Sequence, residues 1–108
     1  MSASENLSPE QFKTFYHGTK AKNVESIRDT GLTSSNSSIY PAKWYMLTDR
    51  KDEAGHYAGG KGGAVLTYHV PNEQVEEHLW PGSINQVSEI RAIKKPLPGN
   101  MIHHVDYL

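Results

Sequence analysis

The chain has 108 residues, 36% of them apolar, a formal net charge of −1 at neutral pH and a pI near 6.6. That length supports one small domain with a lean core, and the near-zero charge excludes bulk electrostatic attraction to nucleic acid or to an anionic membrane. With no cysteine, disulfides, thiol nucleophiles and cysteine metal sites are excluded as well.

Residues 1–8 are polar and small and read as a flexible N-terminal tail, with residues 9–108 as a single domain. Ser8-Pro9-Glu10 suits a capped first turn with proline at its first position. Residues 13–16 read as a first strand, ending in His17-Gly18-Thr19. Asn23 is a plausible N-cap for a helix over residues 24–30, with Val24, Ile27 and Leu32 on its buried side and Gly31 as a left-handed stop. Residues 33–43 lack periodicity and read as a loop long enough for a binding role. Residues 44–48 form a second strand, and Asp49 would cap a helix that carries Ala54, Tyr57 and Ala58 on one face.

The run Gly59-Gly60-Lys61-Gly62-Gly63 has no phosphate-loop spacing and reads as a connecting turn. Residues 64–70 give the clearest strand pattern, with Leu66, Tyr68 and Val70 alternating against Val65, Thr67 and His69. A short helix over 73–79 follows, with Val75 and Leu79 as its apolar pair. A turn at 80–83, a strand at 87–93, a break at 96–100 and a last strand at 101–108 complete the chain. This order predicts an α+β fold with a largely antiparallel sheet. No stretch has the length and apolarity of a signal peptide or a membrane span, which points to the cytoplasm or to delivery into a target cell.

Three places carry possible chemistry. His17-Gly18-Thr19 is either a ligand cradle, in which glycine admits a close approach, or a strand-end turn with a solvated histidine. Tyr45 on the second strand and His56 or Tyr57 on the following helix could sandwich a planar ring. Alternatively, Tyr45 and Tyr57 are core residues. Glu89 stands among Val87, Ile90, Ala92 and Ile93, where a buried carboxylate is costly. It is either held beside a pocket or paired with Arg91. His103-His104 and the pair His69/His78 match no metal spacing, and no metal is expected.

In order and spacing these places resemble the ADP-ribosyltransferase superfamily, on its histidine–tyrosine–glutamate branch with the poly(ADP-ribose) polymerases and diphtheria-type toxins. His17-Gly18-Thr19 followed by Asn23, Ile27 and Gly31-Leu32 is similar to that branch's first motif. Tyr45-Met46-Leu47-Thr48-Asp49 with Ala54 resembles the second, and Glu89-Ile90-Arg91 the third. The resemblance spans residues 15–105. It implies a compact ADP-ribosyltransferase-like fold, a mostly antiparallel split β-sheet with two or three short helices. It also implies an enzyme with NAD as co-substrate.

By the same resemblance, His17 would bind the adenosine ribose, and the Gly18 backbone the nicotinamide carboxamide. Thr19 would line the pocket, and Tyr45 would stack on the nicotinamide with His56 or Tyr57. Glu89 would hold the nicotinamide-side ribose and stabilise the developing cation, so that Glu89, His17 and Tyr45 form the catalytic set. Trp80, Gln86 and Ser88 would belong to an acceptor loop, Trp80 either contacting the acceptor or plugging the core. Val87 stands where arginine-modifying toxins carry Glu or Gln, which argues against arginine as the acceptor.

The small size of the chain implies transfer of a single ADP-ribose unit to an unidentified protein, nucleic acid or small molecule, with NAD glycohydrolase activity at its side. The alternatives are a rifamycin-type small-molecule transferase, since residues 15–21 also resemble that group's opening, and a catalytically weak NAD or ADP-ribose binding module. A monomer is the default expectation.

Overall fold

A computed structural model describes residues 8–32, 46–80, 83–84 and 89–108. A 3-10 turn at Pro9–Gln11 begins them, and Ser8 caps it: the Gln11 side chain accepts from the Ser8 amide at 2.9 Å while the Gln11 amide donates to the Ser8 carbonyl at 2.8 Å. β1 (Phe12–Lys20), α1 (Val24–Thr30), β2 (Met46–Thr48), α2 (Lys51–Tyr57), β3 (Gly63–Pro71), α3 (Val75–His78), β4 (Ser83–Ile84), β5 (Glu89–Ala92) and β6 (Ile102–Tyr107) follow. The six strands make one antiparallel sheet in the order β4-β5-β2-β1-β3-β6. The α+β class and the alternation of strand and helix in the first half therefore hold.

Period-two alternation gives the sheet two distinct faces. On one, Phe15, Leu47, Leu66, Tyr68 and Val70 form the core with Val24, Leu32, Val75, Leu79, Ile93, Leu97 and Met101. α1, α3 and the 3-10 turn at Gly99–Met101 cover it. The other face is covered by α2, whose Ala54 and Ala58 are buried above Gly18. β3 is buried on nearly its whole length because it has cover on both sides. Burying the Phe15 or Leu66 side chain contributes about 1.5–3 kcal/mol each.

Several local expectations are corrected. β1 is nine residues long, so His17-Gly18-Thr19 lies inside a strand instead of ending one. α1 has the expected bounds and Asn23 occupies its N-cap position, but Asn23 is itself helical in backbone (φ −90°, ψ −9°) and makes no side-chain capping bond, because a 3-10 turn at Ala21–Asn23 already leads into the helix. Gly31 stops α1 at φ 87° with ψ 163°, an extended continuation and not a left-handed helical one. That geometry lets Leu32 exchange two 2.9 Å backbone bonds with Leu97. The N-cap of α2 is Arg50, not Asp49, and the Arg50 amide is held by the Thr48 hydroxyl at 3.2 Å. The helix expected over 73–79 is a 3-10 turn (Asn72–Gln74) running into α3. The last strand starts at Ile102, after the 3-10 turn.

The Tyr68 hydroxyl is fully buried and has no hydrogen-bond partner among the described residues. Burial pushes its pKa up, so it stays protonated. An unpaired buried hydroxyl carries a desolvation cost of about 1–3 kcal/mol. Tyr68→Phe removes that cost and keeps the ring. Denaturant unfolding is expected to show stability unchanged or raised by up to about 1 kcal/mol; a loss beyond that would mean that the hydroxyl is bonded.

Candidate functional site

β1 is the meeting point of the site. It pairs with β3 through nine consecutive residues but, among the described residues, with β2 only through Tyr16 opposite Thr48. Beyond that rung, His17, Gly18 and Thr19 continue β1 opposite Leu66, Val65 and Ala64 of β3. β2 then pairs with β5, setting Thr48 opposite Ile90 and Leu47 opposite Arg91. Tyr16, Thr48 and Ile90 thus form one row across three adjacent strands, and residues 17 and 89 flank that row.

His17 is 2% exposed, which excludes a solvated strand-end histidine. It shares its face with Phe15 and Leu47 on the side of the main core. Thr19 lies two residues on, and its hydroxyl oxygen accepts a hydrogen bond from the Asn23 side-chain amide at 3.3 Å. Position 19 and position 23 are one turn apart, so this link had a signal in the sequence that the capping reading of Asn23 passed over.

Gly18 has a structural reason to be glycine. A Cβ there would collide with the Ala54 carbonyl and stand 2.8 Å from the Ala58 amide nitrogen. The close approach is made by the backbone of α2, on the face opposite His17. That approach occupies one face of Gly18 and leaves its role at the strand's edge a separate matter.

The aromatic residues of α2 are at its surface. Tyr57 is 36% exposed, so it is not a core residue, and its hydroxyl donates to the Glu53 carboxylate at 3.1 Å. Partial burial and then the Glu53 carboxylate hold that hydroxyl above its ordinary pKa. His56 is exposed, and its ring centroid lies 6.4 Å from that of Tyr57 at 59°. Both belong to a helix on the other side of the sheet from His17. Tyr45, Gln86 and Ser88 lie outside the described residues.

Glu89 begins β5, where its backbone pairs with Ile84 of β4. Arg91 bonds the Glu76 carboxylate of α3 at 2.9 Å and lies 5.9 Å from the centre of the Phe15 ring. Trp80 is 52% exposed and therefore does not plug the core. Lys94 stands over its ring at 4.8 Å, and the main chain before Trp80 is tied to that around Lys94. Leu79 bridges Ile93, and the Lys94 and Lys95 amides both donate to the His78 carbonyl at 2.8 and 3.1 Å. The Gly-rich run forms the expected turn after α2, with Gly59, Gly60 and Gly62 at positive φ.

No known family model matches the chain, and no curated protein is significantly similar to it. Among the described residues, no helix is long and apolar enough to cross a membrane.

Proposed function

We propose that the domain is an NAD-dependent mono-ADP-ribosyltransferase with a compact ADP-ribosyltransferase-like fold. The observation that carries this reading is the row Tyr16, Thr48 and Ile90. Through it, the strands bearing the histidine, tyrosine and glutamate motifs lie side by side, in the order β1-β2-β5.

The spacing is compatible with the chemistry. Two interstrand steps of about 4.8 Å and an offset of two residues of about 3.3 Å put the 17 and 89 backbones roughly 12 Å apart. A nicotinamide ring with its ribose can bridge that distance between an imidazole and a carboxylate. In this mechanism His17 holds the adenosine ribose, and the Gly18 backbone holds the carboxamide. Tyr45 stacks on the ring, with His56 or Tyr57 as the second aromatic. The C1′–N bond breaks and its electron pair leaves with neutral nicotinamide. Glu89 stabilises the cation left on the ribose, and the acceptor's nucleophile then bonds C1′ and loses its proton. Positioning and an adjacent anion account for such a step without a strong nucleophile.

The test is incubation with labelled NAD, with and without protein, nucleic-acid and small-molecule acceptors, following nicotinamide release and label transfer. Release with transfer of one unit is the expected result. No binding at millimolar NAD overturns the proposal, and binding without release assigns the domain to NAD recognition alone.

A further inference from the structure

The face of the sheet that carries α2 also bears a column of three rings. His69 of β3 stacks on Phe12 of β1 with centroids 3.9 Å apart and 19° between planes. It stacks on His103 of β6 at 4.0 Å and 15°. Because β3 lies between β1 and β6 in the sheet, the column runs across three strands and ends at β6, which closes the strand order.

A β-bulge builds it. Thr67 is opposite His104 and Tyr68 is opposite Ile102, so His103 is the extra residue. Strict alternation would send His103 and His104 to opposite faces. The inserted residue instead lets His103 reach His69 while His104 stays on the face of Thr67.

We propose that this column is a proton-operated fastener of the β6 edge: neutral rings hold β6 against β3, and protonation of His69 within the column releases it. Two neutral imidazoles stack favourably, whereas two cations 4.0 Å apart repel. His103 is exposed, so water screens part of that repulsion. From β1 the pair faces uncharged Phe12. On β6, the Asp106 carboxylate is already engaged, by His104 at 3.1 Å and by Lys51 of α2 at 2.7 Å.

Partial burial, and after it the nearness of His103, lowers the His69 pKa below its ordinary 6.5. The sign follows from linkage. A histidine depressed in the fold binds more protons unfolded, so its contribution is complete above about pH 6.5 and is lost as the pH falls through the folded value. This inference does not depend on the NAD reading.

The test compares the melting midpoint of the unaltered chain at pH 7.5 and pH 5.0 with that of His69→Phe and His103→Phe, which keep a ring in the column and remove one of its two imidazoles. The unaltered chain is expected to lose about 5 °C more than either variant. Equal losses in all three overturn the proposal. A second measurement needs no variant: by nuclear magnetic resonance, the His69 ring protons should titrate below 6.5, with the Phe12 ring signals moving at the same midpoint. Titration at 6.5 with Phe12 unmoved also overturns it.

Discussion

Replacing Gly18 by Ala is expected to lower the melting midpoint by roughly 12–24 °C, which corresponds to about 3 kcal/mol in a domain of this size. The atoms that a Cβ would strike are the Ala54 carbonyl and the Ala58 amide, both backbone of α2. A flexible side chain could turn aside; a helix backbone bonded from the Ala58 amide to the Ala54 carbonyl at 2.9 Å cannot. α2 must therefore lift from β1, exposing Ala54 and Ala58.

Gly55, in the same helix, supplies the control. Its added Cβ would meet only the Val65 side chain at 4.0 Å, an ordinary contact. Gly55→Ala should instead raise stability by about 0.5–1 kcal/mol through helix propensity. Thermal melts followed by circular dichroism distinguish the two. A Gly18→Ala midpoint within a degree of the unaltered chain would show that α2 does not bear on β1 as described.

Glu89→Ala is expected to slow nicotinamide release at least ~10²-fold, with a much smaller change in NAD affinity, since in the proposed mechanism the carboxylate acts on charge that develops only in the transition state. Glu89→Gln should be nearly as slow, because the amide keeps the shape and removes the charge. Steady-state release rates and NAD titrations of the three proteins check this. A loss confined to affinity would assign the residue to ground-state binding. Glu89 sits in the short strand β5, between β2 and β4, which gives its backbone the rigid footing that the proposed role requires.

Much of the fold is legible in the sequence where one local rule acts alone. The alternation of residues 64–70 reads as a strand and lies within β3, Gly63–Pro71. The helix over 24–30 matches α1, since Gly31 stops it whatever its ψ value. Of the expected helix face, Ala54 and Ala58 are buried and Tyr57 is exposed.

The failures occur where tertiary contacts decide. His17-Gly18-Thr19 carries turn chemistry, yet it stays in β1 because β3 pairs with it residue by residue and α2 requires a glycine there. A glycine inside a strand pattern signals close approach, but the sequence does not say whose. The bulge at His103 follows no composition rule; it exists through pairing with Thr67 and Tyr68. At the candidate site, the sequence names residue types and their order. The pairing of β2 with β1 and β5 is what makes three distant motifs neighbours, and strand order is not written in any single segment.

That single rung between β1 and β2 has a dynamic consequence. β1, β3 and β6 are laced together along most of their length, while β2, β5 and β4 join them, among the described residues, through Tyr16 and Thr48 and through side-chain packing. The two groups of strands should open as separate cooperative units. Backbone amides of β2 and β5 are expected to exchange with solvent from a lower-energy opening than those of β1 and β3. The first and second motifs lie on opposite sides of that seam. The two halves of the proposed binding slot are therefore expected to part more readily than either half unfolds.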